Sequence, residues 1–296
     1  MSVPGLEILQ SSASLRGTDS GLRRVPTVAK LIDTSTCIGC KACEVACQEW
    51  NDLPAVTTEQ RGSYQTMPSL HAAFWNLIRF NETEADGDFV WLMRKEQCMH
   101  CADPGCLKAC PAPGAIVQYA NGIVDVNPVE CIGCGLCQSG CPFDVPRFHV
   151  KTEKMAKCTL CVDRAQVGLE PACVKACPTG CLHFGAKDDM LALGQERVGQ
   201  LKADGFSKAG VYDPPGVGGT GVVTVLKFAD RPELYGLPKD PTVPAVVQVV
   251  RGALRPLGLL AMGAVVIGFF RHCLRFGPRA PPSEPPAPPP PAAGAV

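Results

Sequence analysis

Apolar residues occur along this chain in short bursts set between Gly, Pro and polar turns, and a single long apolar run lies near the C-terminus. Residues 74–80 (Phe-Trp-Asn-Leu-Ile-Arg-Phe) and 89–94 (Phe-Val-Trp-Leu-Met-Arg) read as strands either side of a polar turn containing Asp86-Gly87, which predicts a hairpin. A second hairpin is predicted from 115–119 and 123–126 around Asn121-Gly122. Met190, Leu193, Val198 and Leu201 fall roughly on one face, so a helix over 188–202 is expected, with Asp188 as its cap and Gly205 beyond its end. A strand over 221–228 is expected inside a Gly/Pro-rich stretch that is long for a loop and suits a docking surface.

The long apolar run, 257–270, has no charge over 14 residues, a length that fits either a buried helix or a membrane span. Arg255 and Arg271 can snorkel, so 252–276 offers 25 residues, enough to cross a bilayer, and the span is the favoured reading. Gly258, Gly263 and Gly268 would admit a partner helix closely. Basic residues flank both ends, so charge bias does not set the orientation. The Pro- and Ala-rich stretch 278–296 is expected to be disordered or polyproline-like.

Composition changes the picture chiefly through cysteine. Lys+Arg and Asp+Glu balance at 28 each, which gives no sign of nucleic-acid binding. Aromatic residues make up only 6%, while cysteines number 18, of which 16 form four groups of four. Disulfides suit small secreted domains, whereas residues 1–30 show no apolar signal core. Arg23-Arg24 is a twin arginine, but the segment after it is too short and too soon charged to act as a translocation signal. The cysteines therefore start in a reducing compartment, which favours metal or cluster ligation.

The groups are Cys37-x2-Cys40-x2-Cys43-x3-Cys47; Cys98-x2-Cys101-x4-Cys106-x3-Cys110-Pro111; Cys131-x2-Cys134-x2-Cys137-x3-Cys141-Pro142; and Cys158-x2-Cys161, an eleven-residue gap, then Cys173-x3-Cys177-Pro178. The first and third match the bacterial ferredoxin run. A cubane presents its irons only a few ångströms apart, so three thiolates must converge from one tight loop, which Gly39, Gly133 and Gly135 allow to curl. The fourth cysteine of each group lies beyond the loop and is expected to bind the neighbouring cluster of a pair. Zinc is the sober alternative, but it needs pairs of cysteines rather than four ferredoxin-ordered quartets. Four 4Fe–4S clusters, and no 3Fe–4S centre, follow from four complete groups.

Groups two and three are close in sequence and joined by the second hairpin, so they read as one two-cluster unit. One cluster would take Cys98, Cys101, Cys106 and Cys141, and its neighbour Cys131, Cys134, Cys137 and Cys110. Groups one and four then pair, giving Cys37, Cys40, Cys43 with Cys177, and Cys158, Cys161, Cys173 with Cys47. Pairing one with two and three with four also remains open. The fold class expected is α+β, two ferredoxin-like two-cluster units plus a C-terminal transmembrane helix. The segments are an N-terminal extension 1–28, the first group with its hairpin 29–97, the inner two-cluster unit 98–150, the fourth group and helix 151–204, a docking segment 205–250, the transmembrane helix 251–276 and the tail 277–296.

Four oxidised clusters with their thiolates carry −2 each. Lys41, Lys95, Lys108, Arg147, Lys154, Lys157, Arg164 and Lys175, all beside the groups, either offset that charge or are ordinary surface residues. Cys181 follows a completed group and reads as a small buried apolar residue, Cys273 as redox-silent, and His100, His149 and His183 as structural. No pterin pocket, nucleotide fingerprint or catalytic constellation is evident, so the chain is expected not to be an enzyme by itself. A zinc-bearing membrane scaffold would be colourless, and a self-sufficient reductase would turn over without partners.

Residues 29–43 (Ala-Lys-Leu-Ile-Asp-Thr-Ser-Thr-Cys-Ile-Gly-Cys-Lys-Ala-Cys) and 98–111 (Cys-Met-His-Cys-Ala-Asp-Pro-Gly-Cys-Leu-Lys-Ala-Cys-Pro) resemble the iron–sulfur (beta) subunit of membrane-bound respiratory formate dehydrogenase. So do 119–125, 157–164 and 216–220, and the resemblance runs from about residue 29 to 276. It implies an electron-transfer subunit between a molybdenum- or tungsten-pterin catalytic subunit and a haem b membrane subunit, passing electrons from formate toward quinone. It also implies the nested ligand sets, an inner-membrane location and a globular part facing the periplasm, exported with the catalytic subunit. Hydrogenases and other molybdoenzymes share the four-cluster plan, so the cysteines alone speak for electron transfer more strongly than for formate.

Overall fold

A computed structural model describes residues 6–13, 25–65 and 67–277, which divide between Val249 and Val250 into two compact units. Arg23-Arg24 and residues 278–296 lie outside the described residues. All sixteen grouped cysteines belong to the first unit, whose architecture is mixed α and β.

A four-stranded sheet organises that unit, in the order Gly210–Tyr212, Val222–Leu226, Val28–Asp33, Leu182–Ala186. Its central pair is parallel, with Val222 opposite Lys30 and Val225 opposite Asp33. Val222–Leu226 is buried along its whole length, as expected for a strand covered on both faces, where an apolar run replaces alternation. The helix Lys187–Ala203 packs Met190, Gly194, Val198 and Leu201 inward. Each fully buried Leu, Val or Ile in this layer contributes roughly 1.5–3 kcal/mol.

Two details differ from the sequence pattern. The helix cap is Ala186, with no side-chain cap bond, and Asp188 lies in the first turn with Asp189. Strand Leu182–Ala186 runs straight into the helix, so no residue is free to cap from outside; the two carboxylates favour the helix dipole instead. The first hairpin is Leu77–Ala85 paired with Asp88–Glu96, beginning at 77 rather than 74 because Phe74 bridges back to His71. Asp86 and Gly87 turn it with φ of 55° and 91°.

The second hairpin pairs Ile116–Tyr119 with Val124–Val126, and a strand with no sequence signal, Ile8–Ser11, adds to its edge. Of the segment 205–250, the part from Tyr212 to Pro238 is folded into the unit: Tyr212 Oη donates to the Pro238 carbonyl at 2.6 Å, and Tyr235 and Leu237 are buried. In the second unit a π-helical turn, Val250–Leu254, leads into the helix Arg255–Phe276. Its stretch Pro256–Phe276, whose most apolar 18-residue window has mean hydropathy 1.8 and is not buried, is 21 residues long. At 1.5 Å per residue this is about 30 Å, the thickness of a bilayer core.

Candidate metal centres

One local design recurs in all four cysteine groups. The third cysteine is the second residue of a short helix: Cys43 in Ala42–Trp50, Cys106 in Gly105–Ala109, Cys137 in Leu136–Ser139 and Cys173 in Ala172–Lys175. The fourth cysteine comes one helical turn later. Where only two residues precede the third cysteine, the chain enters the helix through a left-handed residue, Lys41 (φ 62°) or Gly135 (φ 75°). Where the gap is longer, an extended proline, Pro104 or Pro171, leads in.

The thiols gather across the groups. One cavity is lined by Cys37, Cys40 and Cys43 together with Cys177. A second is lined by Cys158, Cys161 and Cys173 together with Cys47. A third is lined by Cys131, Cys134 and Cys137 together with Cys110. The remaining four, Cys98, Cys101, Cys106 and Cys141, share one neighbourhood: burial, then their mutual repulsion, pushes the Cys101 and Cys106 thiols well up.

Backbone donors turn toward the sulfurs. Gly133 N–H donates to Cys131 Sγ at 3.5 Å and Met155 N–H to the same sulfur at 3.4 Å, while Leu160 N–H donates to Cys158 Sγ at 3.4 Å. Gly133 has φ +70°, and a Cβ there would stand 2.2 Å from the Glu153 carbonyl oxygen, so only glycine fits this loop. Gly39, at φ +66°, lies beneath the first hairpin; a Cβ would meet Phe80 at 2.6 Å and Met93 Sδ at 2.9 Å. Phe80 in turn packs with Tyr64 and Trp91, at ring distances of 5.7 and 6.0 Å, covering the Cys37 loop with aromatic surface.

Burial dominates the electrostatics. It pushes the Cys43 thiol up to about 11, and Cys47, Cys137 and Cys161 up to about 12, so these groups are protonated until a metal displaces the proton. Cys173 moves the other way: burial raises it, but Lys30, whose Nζ donates to Cys173 Sγ at 3.2 Å, and Lys95 together bring it below the ordinary thiol value. Cys37 is lowered to about 6, chiefly by a hydrogen bond from Cys181.

Three lysines are buried among the thiols. Lys30 Nζ also donates to Gln97 Oε1 at 2.7 Å, and Lys157 Nζ donates to the carbonyls of Val124 and Cys158 at 2.5 and 3.0 Å. Lys95 Nζ is buried with no hydrogen-bond partner among the described residues. Burial opposes its charge, and Cys43, Cys173, Cys47 and Cys158, once they are thiolates, hold it above the ordinary lysine value. An unpaired buried charge costs several kcal/mol, so these positions call for anions beyond the protein's own. Lys95 and Lys157 were candidates from their place beside the groups; Lys30, on the central strand, was not. Among the other basic residues, Lys108 pairs with Asp103, Arg147 with Asp144, and Arg164 stacks on Trp50 at 4.2 Å.

Cys181 is buried as expected, but it is not merely apolar filling: its Sγ lies 3.5 Å from Cys177 Sγ, in the wall of the same cavity. Cys273 is exposed on the second unit's helix. His100 is buried, its Nδ1 accepts from Val124 N–H at 3.1 Å, and burial holds its pKa well below the usual histidine range.

The donor set fits iron–sulfur clusters. All eighteen cysteines are free of disulfides. Among the described residues no three Cys, His, Asp or Glu side chains are placed to hold a single ion, the arrangement that zinc requires. Four thiols around a cavity suit a larger, multi-iron group.

Comparison with known proteins agrees. Two profiles described as a 4Fe-4S dicluster domain match residues 36–115 and 89–187, and one described as formate dehydrogenase N, transmembrane, matches 243–286. The nitrate-inducible formate dehydrogenase iron-sulfur subunit of Escherichia coli K12 is 56% identical, covering 85% of this chain and 86% of that protein. The formate dehydrogenase iron-sulfur subunit of Haemophilus influenzae is 54% identical over 85% of this chain and 81% of its own length. The formate dehydrogenase-O iron-sulfur subunit of E. coli K12 is 52% identical over 87% and 86%.

Proposed function

Because this chain belongs to the iron–sulfur subunits of formate dehydrogenase, the electron-transfer rather than the catalytic component, we propose that it carries four 4Fe–4S clusters in nested pairs. They relay electrons from a formate-oxidising molybdenum- or tungsten-pterin subunit to a haem b subunit in the membrane that serves quinone. The observation that carries this reading is the meeting of thiols from groups one and four, and of groups two and three, around shared cavities. When bound, the clusters supply one-electron carriers.

The chain's own residues do the rest. Lys95 lies near thiols of both the Cys37 and Cys158 sets, and Lys157 near both the Cys158 and Cys98 sets. Cys106 feels Cys137, which links the Cys98 set to the Cys131 set. These neighbours support a single line of four sites. Cys40 and Cys134, in the first and last sets of that line, are exposed, whereas the Cys158 set is fully buried, so electrons enter and leave at the two ends. Exposed Ile38 and Val45 beside Cys40, and Ile132 and Leu136 beside Cys134, offer partners apolar surface at each port. The helix Arg255–Phe276 anchors the chain, with the globular part on the periplasmic side.

Anaerobic affinity purification through this chain tests the reading. A pterin-bearing subunit and a haem b subunit should co-purify, and formate should reduce the brown complex. Co-purification of a hydrogenase catalytic subunit, with reduction by hydrogen and not by formate, would overturn the formate assignment.

A further inference from the structure

Lys95 stands out among the buried cations of the first unit. It lies on the strand Asp88–Glu96, opposite Ile78, and is 3% exposed. It lines the cavity shared by Cys37, Cys40, Cys43 and Cys177. Lys30 and Lys157 spend their ammonium hydrogens on protein acceptors, whereas Lys95 Nζ has none among the described residues. The carboxyl that faces it, Glu44, accepts from Ile78 N–H at 2.5 Å and makes no ion pair with Lys95 among the described residues. The other groups around it are thiols from two different sets: Cys43 from one, Cys47, Cys158 and Cys173 from the other.

We propose that Lys95 is a shared counter-cation for two clusters, the one held by Cys37, Cys40, Cys43 and Cys177 and the one held by Cys158, Cys161, Cys173 and Cys47. This rests on the four-cluster reading above. Each cluster with its four thiolates carries −2 when oxidised and −3 when reduced, so a fixed positive charge between them stabilises the reduced form of both. Lys95 is thus a positioning residue for charge: it couples the potentials of two adjacent sites while leaving the Cys98 and Cys131 sets to their own surroundings. Its flexible, unbonded ammonium leaves the hydrogens free for thiolate or cluster sulfur.

The test is an EPR-monitored redox titration of the whole complex carrying Lys95→Met, which keeps the stem and removes the charge. Two of the four couples should move to lower potential by at least a tenfold change in the reduced-to-oxidised ratio, about 59 mV for one electron. The other two should stay in place, and Lys95→Arg should shift the first two by less. No shift, a shift of one couple alone, or an equal shift of all four would overturn the proposal. Should Lys95→Met lose iron, recovery in Lys95→Arg shows that the charge serves both sites, and failure to recover refutes it. Iron well below about sixteen atoms in the unchanged chain would instead defeat the four-cluster reading, whatever Lys95 does.

Discussion

Cys47 and Cys158 line one cavity, although they belong to the first and the last cysteine groups of the chain. Burial, then the neighbouring Cys158, pushes the Cys47 thiol up to about 12. Changing Cys47 to Ser should therefore perturb the cluster held by Cys158, Cys161 and Cys173. By the same logic Cys110→Ser should perturb the one held by Cys131, Cys134 and Cys137. EPR of the intact complex, read signal by signal, checks both. A Cys47→Ser effect confined to the cluster of Cys98, Cys101 and Cys106 would mean sequential rather than nested pairing.

The cysteine groups, both hairpins and the apolar helix were legible because each is a local pattern: ligand spacing, a two-residue turn, an uncharged run. What was not legible is long-range. Strand Ile8–Ser11 has only four residues at a sheet edge and finds its partner more than a hundred residues on, at Gln118. Lys30 reads as one polar position in the strand Val28–Asp33, and only the fold brings it to Cys173. Cys181 reads as a spare residue after a finished group until strand Leu182–Ala186 sets it against Cys177. The Asp188 cap failed for a local reason, a strand that leaves no turn before the helix.

Gly133→Ala should lower the stability of the Cys131 loop. The substitution puts an L side chain at φ +70° and a Cβ 2.2 Å from the Glu153 carbonyl oxygen. The strain alone costs about 1–3 kcal/mol, and the loop must also open. Thermal unfolding of the anaerobic complex should shift down, with iron lost first from the Cys131 set. Gly135→Ala, which meets nothing within 4 Å, should cost less.

Cys181→Ala should leave the iron content unchanged, because its sulfur neighbours Cys37 and Cys177 rather than completing a set of four. Its absence removes a hydrogen bond to two sulfurs of one set, so only the EPR signal of that set should change. Loss of about four iron per chain would make Cys181 a ligand.

Ending the chain after Pro256 removes nearly all of the apolar helix while every grouped cysteine is kept. The truncated chain, expressed without its partners, should fractionate away from membranes and still be brown. Retention on washed membranes would show that the helix is not the anchor.

The most direct measurement is the iron, acid-labile sulfide and zinc content of the anaerobically purified protein. Four clusters bound by sixteen cysteines predict about sixteen iron and sixteen sulfide per chain, with zinc absent. Stoichiometric zinc with little iron would contradict the account at its centre.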